Sequence, residues 1–374
     1  MHKIVISGYY GFNNIGDESI LKAVVENLQE RLGRIQITVL SQNPENTREK
    51  FGVRAVNRMK LGAIIKAIFR SDLLISGGGS LLQDVTSKRS ILYYLTVMWI
   101  ALLFRKKVFI YSQGIGPVNL RLNRWLMVRT LKRVDYIVVR DEGSREFLTD
   151  CGIDEGKITV TADPVIRLKK VGLETGRRIL EEEDFEFQDE RIDPTPKIGI
   201  AVKGRLKDKD FLEEVCQGIR ELIDKFDARI VLIPFYFSED MPIAEEIEKR
   251  FDGAVTLIRK KCLTDEMLSV IGNMDLLVGV RLHSLIHAAI MDVPMIGISY
   301  DPKVNAFLKS IGLKALCSVY DFKGEYLVEE CEKVWKHRTQ QLTKTRRNKA
   351  VLIDKLNYNE VLIGKLLGEE NALG

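Results

Sequence analysis

What the chain lacks narrows its class. No stretch is long enough to cross a bilayer. The nearest, ILYYLTVMWIALLF at residues 91–104, has fourteen residues, where a spanning helix needs roughly 20. It reads as a core helix packed on a sheet or, with Arg105, Lys106 and Lys107 following it, as a helix touching a membrane surface. Cysteine is sparse: Cys151, Cys216, Cys262, Cys317 and Cys331 lie far apart, odd in number and without zinc spacing. That excludes a disulfide scaffold and predicts reduced, mostly buried thiols in a cytoplasmic protein. The start, MHKIVISGYY, enters a strand pattern directly, so no signal peptide is expected. Low-complexity tracts and short internal repeats are missing. Charge of one sign is also modest: the formal net charge is +5 and the pI about 8.8. This is not the profile of a dedicated DNA binder, and no nucleic-acid partner is expected. It suits an anionic substrate or membrane surface.

What is present is a rhythm. KIVIS, IQITVLS, DLLISGGG, KVFIYSQGIG, DYIVV and ITVTADPVI are short apolar runs alternating with helical patterns such as GDESILKAVVENLQERLG. Strands alternating with helices imply βαβ units and a parallel sheet. Over residues 167–196 the chain turns polar and charged, which reads as a linker with some helix. The rhythm then restarts with KIGIAVKG, ARIVLIPFYF, AVTLIRK, DLLVGVRLHS and PMIGISYDP. The expectation is an α/β protein with two Rossmann-like domains whose parallel sheets face a cleft. The first spans 1–166, a linker covers 167–196, the second domain spans 197–345, and a C-terminal helical segment covers 346–374. In such sheets ligands bind beyond the carboxyl ends of the strands, so strand-end residues are the candidates.

In the first half, SGYYGFNNIGDESI lacks the spacing G-x-G-x-x-G, and no P-loop lysine follows it. Asp17 and Glu18 open the helix, where the dipole favours them but a pyrophosphate would be repelled. Asn13, Asn14 and Asp17 suit either simple capping or a sugar's hydroxyls. SGGGSLLQD adds Gly77, Gly78, Gly79, Gln83 and Asp84, YSQGIGP adds Gln113, and VVRDEGSREF adds Arg140 at a strand end. Asn14, Asp17, Asp84 and Gln113 are the candidates for binding a sugar. Arg140 has an ordinary reading too, as an arginine paired with Asp141 or Glu142.

The second half holds the stronger signal. In LLVGVRLHSLIHAA an apolar strand runs into Arg281, Leu282 and His283. Arg281 and His283 share one direction if the strand continues there. His287 reads as a structural histidine. Asp301 and Lys303 stand at the next strand–helix junction. Two cations beside an imidazole describe a site for a small polyanion with proton transfer.

Taken in order, SGYYGFNNIGDESI, SGGGSLLQD, YSQGIGP, VVRDEGSREFL, TADPV and GVRLHSLIHAAIMDVPMIGISYDPKV resemble the landmarks of the polysaccharide pyruvyl transferase family. The likeness is greatest to the bacterial branch that modifies secondary cell-wall polysaccharide. The resemblance implies a GT-B-like fold and phosphoenolpyruvate as donor. It implies as acceptor an N-acetylmannosamine residue on a lipid-diphosphate-linked precursor, and as product a 4,6-ketal of pyruvate. His283 would be the catalytic acid and base, and Arg281, Lys303 and Arg140 the donor-binding cations, with Arg145 the neighbouring alternative to Arg140. The first domain, through Asn14, Asp17, Asp84 and Gln113, would take the acceptor and the second the donor. The resemblance implies no metal or other cofactor, and a cytoplasmic enzyme. Segment 91–104 with its basic flank, the basic stretch 121–133 and a lipid-linked acceptor point to peripheral contact with the anionic inner face of the membrane. Two other readings of the same residues are a GT-B glycosyltransferase using a nucleotide sugar and a sugar-binding module without catalysis.

Overall fold

The structure is a computed structural model that describes residues 1–85, 87–187, 195–203 and 209–368. The parts of the expected linker and tail at 188–194 and 369–374 lie outside the described residues. The chain divides into two compact units, Met1–Arg167 together with Leu352–Gly374, and Leu168–Val351.

The first unit is built on eight strands. They are β1 (His2–Ser7), β2 (Ile35–Ser41), β3 (Arg54–Asn57), β4 (Leu73–Ser76), β5 (Gly79–Leu82), β6 (Lys107–Ile115), β7 (Tyr136–Val139) and β8 (Ile158–Val160). Between them run α1 (Ile15–Arg31), α2 (Pro44–Phe51), α3 (Leu61–Phe69), α4 (Ser90–Leu103), α5 (Arg121–Leu131) and α6 (Glu142–Asp150). All strand pairs are parallel, and the order is β3-β2-β1-β4-β6-β7-β8 with β5 beside β6. Parallel strands covered on both faces need continuous apolar sequence, and β4 (LLIS) is buried throughout.

The second unit contains α7 (Glu174–Glu182), β9 (Lys197–Ala201), α8 (Lys209–Phe226), β10 (Arg229–Leu232), α9 (Phe237–Glu248) and β11 (Val255–Leu257). It continues with α10 (Thr264–Gly272), β12 (Leu276–Gly279), α11 (Leu282–Met291), β13 (Met295–Gly297) and α12 (Pro302–Ser310). Its five-stranded sheet has the order β11-β10-β9-β12-β13, again wholly parallel. The architecture is therefore α/β with two Rossmann-like units.

The stretch expected as a linker with some helix carries α7, and α7 packs on α10. Gly176 makes this possible: a Cβ there would lie 2.2 Å from the carbonyl carbon of Ser269, and its amide donates to Ser269 Oγ at 2.7 Å. The expected C-terminal helical segment is the end of α13 (Gly324–Leu367), which is non-helical at His337. From Leu352 on, its residues belong to the first unit. There Glu360 accepts from Tyr111 and pairs with Arg167 at 3.0 Å, a buried network of polar groups that satisfy one another. Residues 91–103 lie in α4, with Ile91, Tyr94, Leu95, Val97, Met98 and Ala101 in the core; the core-helix reading holds.

Candidate functional site

In each sheet the strand order reverses once, between β1 and β4 and between β9 and β12. A crevice opens at such a point beyond the carboxyl ends of the strands.

In the second unit β12 stops at Gly279 and Arg281 is the N-cap residue of α11. His283 therefore sits in the first turn of a helix, half-buried, and strand alternation does not relate it to Arg281. The tight turn needs Gly279, where a Cβ would come 2.6 Å from Ser284 Oγ. Arg281 is not an open cation. Its Nε donates to both carboxylate oxygens of Asp240, at 3.0 and 3.1 Å, and its Nη2 to Glu239 at 2.9 Å. Asp240 is wholly buried and also accepts from the amides of Phe235 and Tyr236, at 3.1 and 2.8 Å. Burial opposes the guanidinium charge, but Asp240, then Tyr300 and Glu239, outweigh it and hold the Arg281 pKa above its ordinary value. Glu239 is lowered: burial opposes, and the bond from Arg281 and the charge of Lys203 prevail.

Asp301 caps α12, accepting from the Lys303 amide at 3.0 Å, and its other oxygen lies 3.3 Å from Lys303 Nζ. Lys303 Nζ is 5.2 Å from the Tyr300 ring centre. Lys203, just past β9, is 5.1 Å from the same ring and 3.3 Å from Glu239. Lys203 was missed in the sequence; its signal was its position after the strand next to the reversal. Arg281, Lys203 and Lys303 thus face Asp240, Glu239 and Asp301. The pairs are unequal. Lys203–Glu239 and Lys303–Asp301 are partly solvated, with carboxylates 52% and 38% exposed, and such pairs are worth about 0–1 kcal/mol. They can open for an anion at little cost, whereas breaking the buried Arg281–Asp240 pair costs several times more. His287 is fully buried, its ring 5.3 Å from that of Phe235, as befits a structural histidine.

In the first unit the crevice between β1 and β4 is filled. The Tyr10 ring lies on Gly8 and Gly77: a Cβ on Gly8 would be 2.3 Å from the ring, and one on Gly77 2.2 Å from the hydroxyl. Nothing in the sequence signals this beyond an aromatic residue inside a glycine turn. Burial first, then the charge of Asp17, raises the Tyr10 pKa well above its usual value. Glu18 is also buried and accepts from the Gly11 amide at 2.8 Å. Burial pushes its carboxyl up, against the Gly11 hydrogen bond. Asn14 caps α1, accepting from Gly16 at 3.1 Å, and Asp17 is half-buried beside it.

The other first-half candidates are held by bonds within the unit. Asp84 accepts from the amides of Asn119 and Leu120, at 2.7 and 2.9 Å, and from Asn123 Nδ2 at 3.2 Å. Burial opposes its ionisation, but these bonds hold its pKa below the usual range. Gln113 is fully buried, its Nε2 donating to Ser76 Oγ and the Gly77 carbonyl at 2.7 and 2.6 Å. Both residues brace loops that border the crevice. Arg140 is held similarly. Its Nη1 pairs with Asp163 at 2.9 Å, its Nε with Asp141 at 3.4 Å, and its Nη2 donates to Ser80 at 3.1 Å. Arg145 is more exposed and pairs with Glu142 and Glu155. All five cysteines are free thiols; burial pushes that of Cys262 up to about 12, far from a nucleophile's range.

A family model described as "Polysaccharide pyruvyl transferase" matches residues 14–302. The amylovoran biosynthesis protein AmsJ of Erwinia amylovora is 21% identical over 369 residues, covering 84% of this chain and 88% of that protein. Among solved structures, the UDP-GlcNAc 2-epimerase of Neisseria meningitidis, bound to UDP-GlcNAc, superposes with a TM-score of 0.62. It is 16% identical, over 98% of this chain and 100% of that one. HepE of Anabaena, in complex with UDP and glucose, has a TM-score of 0.65 at 10% identity over 98% and 100%. These likenesses show the fold, which is GT-B-like.

Proposed function

This chain belongs to the polysaccharide pyruvyl transferase family, and we propose that it moves pyruvate from phosphoenolpyruvate to a sugar, releasing phosphate and forming a 4,6-ketal. The acceptor in this reading is N-acetylmannosamine on a lipid-diphosphate-linked secondary cell-wall polysaccharide precursor. The supporting observation is that His283 stands in the first turn of α11 beside Arg281, next to a helix start that carries Lys303. A helix N-terminus with lysines whose partners are easily exchanged is a natural seat for phosphate and carboxylate.

The chemistry follows. His283, as imidazolium, protonates the methylene carbon of the enol, leaving an oxocarbenium-like centre at C2. One sugar hydroxyl adds there and gives its proton back to the imidazole. The bond from C2 to the phosphate oxygen breaks, and the second hydroxyl closes the ring. Of the two hydroxyl protons, one ends on the new methyl group and one on phosphate, so the step balances without an oxidant or reductant. Lys303 and Lys203 bind the donor by letting go of Asp301 and Glu239. Arg281 keeps Asp240; its bonds among the described residues use Nε and Nη2, which leaves Nη1 for the donor. Asn14 and Asp17 serve the neutral acceptor. No cofactor takes part in this scheme.

The test is incubation with phosphoenolpyruvate and lipid-linked disaccharide analogues, followed by mass spectrometry for a pyruvate ketal. Absence of the ketal with every acceptor sinks the reading. A nucleotide-sugar transferase would share the fold seen with UDP ligands in HepE, so a rise in melting temperature with UDP but not phosphoenolpyruvate would favour that alternative.

A further inference from the structure

Residues 85–134 contain ten lysines and arginines and no aspartate or glutamate, in a chain with 52 acidic residues. Residues 51–71 are likewise free of acids. These two segments supply α3, α4 and α5. α4 turns Ile91, Tyr94, Leu95, Val97, Met98 and Ala101 into the core, but α3 is apolar on both sides. Ile64 and Ile68 are buried, whereas Leu61, Ile65 and Phe69, spaced by four and so on one face, are 57%, 36% and 60% exposed. The exposed strip continues onto the end of α4: Phe69 meets Phe104 edge-on at 5.3 Å, Lys106 Nζ lies 5.8 Å from the Phe69 ring, and Leu103 is 78% exposed. α5 adjoins α4, with Trp99 Nε1 donating to Thr130 Oγ1 at 2.9 Å. It adds exposed Leu122 and Trp125, with Arg129 5.3 Å from the Trp125 ring. Among the described residues of 85–134, Lys107 is the one cation ion-paired to a carboxylate, that of Asp135.

We propose that this face, centred on Leu61, Ile65 and Phe69 and rimmed by Lys60, Lys66, Arg70, Arg105 and Lys106, docks on an anionic lipid bilayer. Apolar side chains would sink to the head-group boundary while the cations meet lipid phosphates. Charge complementarity selects this occupant. A second copy would bring the same cations against themselves, because a two-fold interface repeats one patch, and like charges face to face are unfavourable. A nucleic acid would match the cations but leave the apolar strip unused. Insertion is excluded for the described residues, since no helix among them is long and apolar enough to cross. The proposal does not rest on the proposed reaction, although a lipid-linked acceptor would lie on the same surface.

Flotation of the full chain with phosphatidylglycerol–phosphatidylcholine vesicles, against phosphatidylcholine alone, tests it. Binding should need the anionic lipid and weaken with salt. The double substitution Ile65→Asp with Phe69→Asp should reduce partitioning at least tenfold. Lys66→Glu with Arg70→Glu, which leaves the apolar strip intact, should do likewise, so a folding defect in one variant does not decide the matter. Wild-type protein that stays unbound at low ionic strength overturns the proposal. So does vesicle binding unchanged in both variants, or a wild-type dimer that both variants turn into monomers with no change in flotation. Protein that floats but makes no ketal upholds this surface and removes the reaction instead.

Discussion

Arg281 and Asp240 lie 41 residues apart, and Arg281 Nε donates to both oxygens of a carboxylate with no exposed surface, at 3.0 and 3.1 Å. The arginine is thus structural as well as a candidate ligand. Arg281→Ala should leave a buried carboxylate without its countercharge and lower unfolding stability by about 3–5 kcal/mol, read by urea denaturation. A loss below ~1 kcal/mol would show that the pair does not hold the loop.

Lys303 behaves differently because its partner Asp301 is partly solvated. Lys303→Ala should cost under ~1 kcal/mol of stability but about 1.5–3 kcal/mol of phosphoenolpyruvate binding, the size of a charge-assisted bond. Calorimetry that finds the donor affinity unchanged removes Lys303 from the site.

His283→Gln should still bind donor, yet lose on the order of 10²–10⁴ in turnover, the usual size of a general acid–base contribution. His287→Gln should mainly lower the melting temperature, since His287 is packed in the core, and keep its turnover per folded molecule. If His283→Gln turns over at the wild-type rate, the proton comes from another group.

Glu18 gives a pH signature. Its carboxyl is raised from 4.5 by burial in the folded state, so the protonated form is the one that stabilises the fold. That stability is complete below the unfolded value and is lost as pH rises through the folded one. Glu18→Gln keeps an acceptor for the Gly11 amide and cannot ionise. It should melt above wild type at pH 7, and the gain should shrink as pH falls towards 4.5. A gain that grows on acidification contradicts the assignment.

Gly176→Ala should destabilise the second unit by about 1–3 kcal/mol, the cost of overpacking, because its Cβ would overlap the Ser269 backbone. Thermal unfolding indistinguishable from wild type would mean that α7 is not seated on α10.

By itself the sequence determined the two α/β halves and the strand ends where chemistry gathers. Runs such as KIVIS and DLLVG carry their secondary structure in local pattern, and glycine turns mark where each strand stops. It placed Arg281, His283 and Lys303 at neighbouring junctions for the same reason. Only the tertiary structure decided that Asp240 neutralises Arg281, that Lys203 joins Lys303 at Tyr300, that Tyr10 closes the crevice at Gly77, and that Asp84 and Gln113 bond to neighbouring loops. Those outcomes depend on distances between residues far apart in the chain and on how much water remains around each charge. Periodicity records which face a residue takes, not which group will stand opposite it.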